Sequence, residues 1–332
     1  MQTIRETTTQ AFQTRSEALL TANTPLVIRG LISHWPAVEL AQSSPEHFVT
    51  QLGQTAHSDP VTAFILEPEH QGRVFYNSNC TDFNFSTLRV PLIDAIAKLL
   101  EFNQAARPST LYVGSMNIDH WLPQFALSNR APVELAGSLA SLWLGNKSTI
   151  AAHFDFPDNL ACVVAGRRRF TLLPPAQLPN LYVGPLDLTP AGQPISMVDF
   201  RDPDFARFPR FEQALTHAVQ ATLEPGDAIV IPSMWWHHVE SLDNLNALVN
   251  YWWRQNTVSS GPPLAALQHA MLAFKDLAPH QKQAWQALLN FYVFEQDSTR
   301  FEHIPEPARG VLNPLTPSMA SRIKAMIRQL LK

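Results

Sequence analysis

Short apolar runs separated by turns dominate the middle of the chain. The runs are rich in valine, isoleucine, leucine and aromatic residues, proline or glycine lies between them, and they fall at 110–113, 160–164, 169–173, 228–231 and 247–252. Short strands joined by such turns are typical of a jelly roll. The pattern therefore predicts a mainly β fold, a double-stranded β-helix, with flanking helices and a helical C-terminal tail.

The N-terminal part, residues 1–110, has a mixed pattern. Its predicted strands are 26–29 and 61–66, and its predicted helices are 45–52 and 91–100. Both helices are expected to open with proline at the first helical position, where the missing N–H is not needed. A further helix is predicted at 211–219, as an excursion between barrel strands.

After residue 258 the apolar spacing becomes helical. Helices are predicted at 264–274 and 281–294, and a last one begins with Thr316 as N-cap and Pro317 at the first position. One face of this last helix carries Met319, Ile323, Met326, Ile327 and Leu330.

Three regions follow from these patterns. Residues 1–110 form a mixed α/β part that packs on the barrel, residues 111–257 form the β core, and residues 258–332 form a helical C-terminal region. At 332 residues, the chain has room for one large β-barrel domain or for two smaller domains.

Composition narrows the classes of partner. The net charge of −4 provides no bulk positive field for nucleic acid, which argues against DNA or RNA as a partner. Two cysteines, Cys80 and Cys162, exclude a disulfide framework. The polar N-terminus does not resemble a signal peptide, and no apolar stretch approaches the length of a membrane span. These features predict a cytoplasmic protein with no membrane partner.

Two histidines and an aspartate provide the most specific chemistry. His153 and Asp155 are two residues apart, so on a strand they project from the same face and can bind one ion. A histidine from a distant strand, His237 or His238, would complete the set of two imidazoles and one carboxylate that holds Fe(II) on one face. From chemistry alone the choice between these two adjacent histidines stays open.

The surroundings of these residues resemble the cupin-like branch of the JmjC family, which includes the asparaginyl hydroxylase that acts on hypoxia-inducible factor. The likeness spans about residues 20–255. Its motifs are PLVIRG at 25–30, LYVG at 111–114, SLWLG at 141–145, HFD at 153–155, GRRRFTLLPP at 166–175, LEPGDAIVIP at 223–232, WWHHVESL at 235–242 and VNYWW at 249–253.

The resemblance implies an iron(II) centre with 2-oxoglutarate as co-substrate. In similar hydroxylases the first histidine of WWHH is the ligand, which selects His237 and leaves His238 as a packing residue. The ligands would then be His153, Asp155 and His237, and these three are also the catalytic residues that the resemblance implies.

The resemblance also implies a set of co-substrate contacts. The cation that binds the far carboxylate of 2-oxoglutarate falls on Arg168, where the asparaginyl hydroxylase has lysine; Arg167 and Arg169 remain alternatives. The other implied contacts are Tyr112, Thr149, Asn159 and Asn250. Thr149 stands one residue earlier than the corresponding threonine of that hydroxylase, whose position is taken here by Ile150.

The expected function is therefore Fe(II)- and 2-oxoglutarate-dependent hydroxylation of a C–H bond. By resemblance, the expected substrate is a protein or peptide side chain, with a small molecule as the next alternative. Two rivals are a non-enzymatic cupin-like protein that binds a metal or small ligand, and an iron-dependent cupin dioxygenase or isomerase that does not use 2-oxoglutarate. Helical ends of related hydroxylases often form dimers, so the resemblance implies a homodimer; the alternative is that these helices cover the barrel of their own chain.

Overall fold

A computed structural model describes residues 1–254, 261–295, 297 and 299–331. The chain divides into two compact units, Met1–Arg254 and Gln255–Lys332. The predicted boundary between the β core and the helical region, at 257/258, lies outside the described residues, as does the last residue of the predicted tail, Lys332.

The strands belong to the first unit. In chain order they are β1 Gln2–Thr3, β2 Glu6–Thr8, β3 Leu26–Arg29, β4 Val61–Leu66, β5 Arg73–Val74, β6 Ser86–Val90, β7 Thr110–Asn117, β8 Leu139–Gly145, β9 Ser148–His153, β10 Asp158–Ala165, β11 Arg168–Leu173, β12 Val219–Leu223, β13 Ala228–Ile231, β14 Trp236–Ser241 and β15 Asn246–Trp253.

The strands form two sheets. One has the order β1-β12-β11-β14-β9-β5, and the other has the order β2-β3-β13-β10-β15-β8-β7-β4-β6. Most neighbours are antiparallel, as in the β10–β15 and β11–β14 pairs. Two facing sheets of this kind confirm the predicted mainly β jelly roll. Strands β3, β4 and β6 from the N-terminal part extend the second sheet directly.

Apolar side chains pack between the two sheets and also cover the outer face of each sheet. Between the sheets, Phe170 and Val239 of the first meet Ile231 and Leu248 of the second. Because successive residues of a strand face opposite sides, the same strands also carry residues on the outer faces. N-terminal helices cover the outer face of the second sheet, and the outer face of the first packs against Phe211.

The helices of the first unit are α1 Thr9–Leu20, α2 Pro36–Ser43, α3 Pro45–Thr55, α4 Leu92–Asn103, α5 Ile118–Trp121, α6 Pro123–Ser128 and α7 Phe211–Thr216. Those of the second are α8 Pro263–Phe274, α9 Pro279–Leu289 with a π-helical turn Asn290–Phe294, and α10 Pro317–Leu330. Short 3-10 helices lie at Pro68–His70, Pro175–Asn180, Glu306–Ala308 and Gly310–Leu312. Among the described residues, no helix is both long enough and apolar enough to cross a membrane.

Each predicted helix is present, but several begin or end at a different residue; α3, for example, ends at Thr55 and α9 begins at Pro279. Thr316 caps α10 by accepting a hydrogen bond from the Met319 backbone N–H, as expected. The helix predicted at 211–219 ends at Thr216, because Val219 already pairs with Leu172 in the sheet. The helix predicted at 91–100 begins at Leu92, because Pro91 has an extended backbone and serves as the N-cap.

Candidate metal centre

A cavity of about 560 Å³ lies between the inner faces of the two sheets. Its wall combines apolar residues such as Phe170, Val239 and Ile231 with a small number of polar side chains. The polar residues of the wall include His153, Asp155, His237, Asn159, Arg168, Tyr112 and Asn250. Mostly apolar pockets with a few converging polar groups are typical of ligand sites.

His153, Asp155 and His237 converge at one side of this cavity. His153 ends β9, His237 is the second residue of β14, and the two lie directly opposite each other in the antiparallel pair. One ligand atom from each of the three side chains lies within 4.8 Å of the others, and the two imidazole centroids are 4.2 Å apart. The structure therefore brings together the three residues whose ligand chemistry suits Fe(II).

Backbone carbonyls orient both imidazoles. The Nδ1 atom of His153 lies 3.0 Å from the Ala151 carbonyl oxygen, and that of His237 lies 3.0 Å from the Trp235 carbonyl oxygen. A protonated Nδ1 that donates to a carbonyl leaves Nε2 as the free electron-pair donor, which is how metal-binding histidines are usually held. Burial, and then the neighbouring His153, lower the pKa of His237 to about 4, so its imidazole is neutral at pH 7.

Two side chains position the carboxylate of Asp155. The indole N–H of Trp252 donates to Oδ2 at 3.0 Å, and the amide of Asn159 donates to the same atom at 3.3 Å. Hydrogen bonds to a ligating carboxylate fix its direction and contribute to metal affinity. The role of Trp252 was not predicted from sequence, because it depends on the β10–β15 pairing that places Trp252 opposite Asn159.

His238 faces away from the cavity. Strand alternation puts it with Trp236 on the other side of β14, where its ring stacks on Phe200 at a centroid distance of 4.8 Å. Neither ring nitrogen has a hydrogen-bond partner among the described residues, and burial lowers the pKa of His238 to about 3. Of the two adjacent histidines, the geometry thus presents His237 to Asp155.

Arg168 is a buried cation in the cavity wall. Its exposed fraction is 2%, and within the described part of the chain it forms no ion pair and its Nε has no acceptor. Burial lowers the pKa of its guanidinium to about 10, so the group keeps its charge at pH 7. A buried charge without a counter-ion is strongly unfavourable, so an anionic ligand at this point would stabilise Arg168.

The arginines on either side of Arg168 are already paired. Arg167 is exposed and binds Asp243 with an N–O distance of 2.9 Å, and Arg169 binds Glu240 at 3.3 Å. Both project from the opposite side of the chain, as strand alternation requires. Among these three arginines, Arg168 therefore has the geometry for an anion in the cavity.

Tyr112 and Asn250 also line the cavity. Burial raises the pKa of the Tyr112 hydroxyl above its ordinary value, so the group stays protonated and can donate a hydrogen bond. The side-chain oxygen of Asn250 accepts a hydrogen bond from the indole N–H of Trp143 at 2.8 Å. This bond orients Asn250 within the wall.

Thr149 does not line the cavity, whereas the next residue, Ile150, does. The reason is a bulge in β9, where Ile150 pairs with Val239 and His153 with His237, so that two residues of β9 lie opposite one of β14. The bulge brings the residue three positions before the first ligand onto the ligand's face. Thr149, four positions before, is buried and is not part of this wall.

Four polar residues of the wall were missed from sequence, namely Thr62, Ser115, Gln193 and Arg254. Gln193 lies in the segment between Val183 and Ser196, which form an isolated β-bridge, and its buried Oε1 has no partner among the described residues. Because Gln193 belongs to an irregular segment, no periodic pattern assigns it to the cavity.

Comparisons with known proteins agree with this architecture. The chain matches the cupin-like domain over residues 11–259. It is 30% identical over 258 residues to the human bifunctional peptidase and (3S)-lysyl hydroxylase JMJD7, covering 70% of this chain and 77% of that protein.

Two other relatives match over shorter lengths. The lysine-specific demethylase JMJ31 of Arabidopsis thaliana is 37% identical over 130 residues, and human HSPB1-associated protein 1 is 36% identical over 118 residues. The matched part is 38% of this chain and 23% of JMJ31, and 35% of this chain and 24% of HSPB1-associated protein 1. The chain thus spans only about a quarter of these two relatives.

Proposed function

The chain belongs to the cupin-like family of JmjC proteins, and from that membership we propose that it is an Fe(II)- and 2-oxoglutarate-dependent oxygenase that hydroxylates a C–H bond of a protein or peptide side chain. The relatives named as a lysyl hydroxylase and a lysine-specific demethylase support the oxygenase class. The choice of a protein substrate rests on these relatives.

One observation carries the proposal. The cavity that contains His153, Asp155 and His237 also contains the unpaired, buried guanidinium of Arg168. A metal-binding barrel without a co-substrate has no need for such a cation. A dicarboxylate fits both features, because one end can reach the metal and the other can bind Arg168 in the planar, two-bond geometry that guanidinium favours.

The residues present fit the implied metal and co-substrate. Fe(II), when bound by the three ligands, would supply the oxidation, in which O₂ converts 2-oxoglutarate to succinate and CO₂ and adds one oxygen atom to the substrate. Arg168 neutralises the far carboxylate, and the protonated Tyr112 provides a hydrogen-bond donor in the same wall. Phe170 and Ile231 exclude water from this part of the cavity.

An anaerobic titration tests the proposal. The metal-free chain is given Fe(II) and then 2-oxoglutarate, and we expect the weak visible charge-transfer band of this pair. Admission of air should then release succinate in amounts that depend on Fe(II). Binding of Fe(II) with neither the band nor succinate would contradict the proposal and favour the cupin-like binding protein. The chain is then incubated with a pool of peptides or a pool of small molecules. The pool in which a compound gains one oxygen atom identifies the substrate class.

We also propose that the chain forms a homodimer through its second unit. The large apolar side chains of this unit are exposed in the single chain, for example Leu272 at 79%, Phe294 at 69% and Leu330 at 76%. On α10, Ile327 is 41% exposed and Ile323 is half-buried. Burial stabilises each such side chain by roughly 1.5–3 kcal/mol, and a twofold axis lets one patch meet its copy.

Light scattering tests the dimer. We expect a dimer at micromolar concentration and a folded monomer after Ile323→Glu combined with Ile327→Glu, with the exposed position Gln329→Glu as a control that stays dimeric. A monomeric wild type would contradict the proposal, and an insoluble double variant would favour burial within one chain. The cytoplasmic location stays a prediction.

A further inference from the structure

A second group of two histidines and one aspartate lies on the surface. His57 and Asp59 flank a turn just before β4, and His120 belongs to α5, just after β7. One ligand atom from each lies within 4.8 Å of the others, and all three residues are exposed. We propose that these three side chains form a second metal site, suited to Zn²⁺ and separate from the cavity.

The spacing of the donor atoms suits a tetrahedral ion. The Oδ2 atom of Asp59 lies 2.9 Å from Nε2 of His120 and 3.5 Å from Nδ1 of His57. Metal–ligand bonds of 2.0–2.2 Å at tetrahedral angles place neighbouring donors about 3.4 Å apart. The two measured distances lie on either side of this value, so small side-chain rotations complete the geometry, and water can take the fourth position.

The contacts of His57 with Asp59 bring two possible metal ligands together. The backbone N–H of Asp59 donates to Nδ1 of His57 at 3.3 Å. The same nitrogen faces the carboxylate oxygen of Asp59 at 3.5 Å. To bind a metal ion that lies between the imidazole and the carboxylate, the single electron pair of Nδ1 would leave this hydrogen bond.

The backbone around the three residues is held in place. The His57 N–H donates to the Trp121 carbonyl at 2.8 Å, and the Trp121 indole N–H donates to the Asp59 carbonyl at 3.3 Å. The Asn117 side chain accepts from the His120 N–H at 3.0 Å and caps α5. These bonds tie the turn before β4 to α5, so the ligands are close before a metal arrives.

The donor set favours zinc over iron. For two imidazoles and a carboxylate, Zn²⁺ binds more tightly than Fe²⁺ in the usual order of divalent metals. The proposed ion would join the ends of two paired strands, β4 and β7, which carry Phe64 and Tyr112 of the cavity wall. The ion would lie outside the cavity and would take no part in the reaction.

Zinc stoichiometry of the full, tag-free chain tests the proposal. The metal-free protein is titrated with Zn²⁺ against a chromophoric chelator. We expect two equivalents for the wild type, one for His120→Ala, one for His153→Ala, and none for the double variant. His34→Ala, which removes an exposed histidine outside both clusters, should keep two equivalents.

A conservative variant guards against loss of fold. Asp59→Asn keeps the size of the side chain and should also bind one equivalent of Zn²⁺, with an unchanged circular dichroism spectrum. X-ray absorption of zinc-loaded His153→Ala should show two imidazoles and light-atom ligands at about 2.0–2.1 Å. A wild type that binds one equivalent, or a second equivalent that survives both His120→Ala and Asp59→Asn, would overturn the site.

Discussion

The chain contains the same three side chains twice, in two different settings. In the cavity, both imidazoles of the cluster are oriented by carbonyl oxygens, and Trp252 and Asn159 hold the Asp155 carboxylate. On the surface, His57, Asp59 and His120 are exposed. The cavity cluster shares its wall with the unpaired, buried cation of Arg168. At the surface cluster, no arginine among the described residues forms an ion pair with Asp59.

This comparison shows that a ligand set does not determine a reaction. Two histidines and one carboxylate suffice to bind a divalent ion in either place. Oxidation also requires a place for the co-substrate and the exclusion of water, and only the cavity cluster has a buried cation and apolar walls among the residues described. The following predictions test this division of roles, beginning with the largest expected effect.

Substitution of each aspartate in turn should distinguish the roles of the two clusters in turnover. Asp155→Asn removes the carboxylate ligand, and we expect Fe(II)-dependent succinate release to fall by more than about 100-fold. Asp59→Asn should leave turnover unchanged. Succinate is measured at saturating Fe(II) and 2-oxoglutarate, with circular dichroism to check the fold. If Asp59→Asn were inactive, the surface cluster would be part of the catalytic machinery and the comparison would fail.

The two adjacent histidines provide a second contrast within the cavity. His237→Ala should abolish iron binding, because the imidazole faces Asp155 with Nε2 at 3.7 Å from Oδ2. His238→Ala should be milder, because its ring packs on Phe200 outside the cavity. Iron content after gel filtration measures both. Loss of iron only in His238→Ala would reverse the ligand assignment.

Removal of the buried cation should affect the co-substrate and leave the metal in place. For Arg168→Ala we expect the apparent 2-oxoglutarate requirement to rise about 100- to 5000-fold, since losing one member of a buried charged pair costs roughly 3–5 kcal/mol. Arg168→Lys should recover part of this, because it restores the charge without the planar fork. Iron affinity should change little.

The neighbouring arginines are the matched controls. Arg167→Ala and Arg169→Ala remove ion pairs with Asp243 and Glu240, and neither side chain enters the cavity. Both variants should keep the wild-type 2-oxoglutarate dependence. A large rise in the 2-oxoglutarate requirement of either variant, together with a wild-type requirement in Arg168→Ala, would show that the neighbouring arginine is the anchor.

Sequence reasoning succeeded where local geometry decides. The spacing of His153 and Asp155 places both at one end of a strand, and the period of two separates Arg168 from its neighbours. It did not show which of Thr149 and Ile150 lines the cavity, because the bulge that turns Ile150 inward depends on pairing between β9 and β14. A single extra residue in one strand leaves no signal in the pattern of apolar residues.

Long-range contacts explain the other omissions. His57 and His120 are far apart in the sequence and meet only because α5 bonds to the turn before β4. The helix predicted at 211–219 was too long, because the apolar spacing continues into Val219, which tertiary pairing draws into β12. The mainly β fold itself was predictable because its core strands are short apolar runs bounded by turn residues.

In the metal-free protein, the burial of His237 should make the free energy of unfolding depend on pH. Its pKa of about 4 lies below the unfolded value near 6.5, so between these pH values the unfolded chain binds more protons. Stability of the metal-free protein should therefore decrease as pH falls through this window, by roughly 3 kcal/mol from this group.

Urea unfolding of the chelator-treated protein measures this dependence. His237→Gln should have a shallower slope between pH 6.5 and 4, though part remains because His238 is also buried with a pKa of about 3. His120→Gln, which changes the surface cluster, should keep the wild-type slope. Parallel curves for wild type and His237→Gln would mean that burial of this imidazole does not set the acid sensitivity.

The smallest effect should come from the two tryptophans that hydrogen-bond near the aspartates. Trp252 donates to the carboxylate oxygen of Asp155, whereas Trp121 donates to the backbone carbonyl of Asp59. Trp252→Phe should weaken Fe(II) binding about 10- to 100-fold, as is usual when the partner of a ligand is lost. Trp121→Phe should change Zn²⁺ binding at the surface much less, because the Asp59 carboxylate keeps its freedom. Isothermal titration of each metal measures both, and equal losses at the two sites would show that the surface ligands are also held by their neighbours.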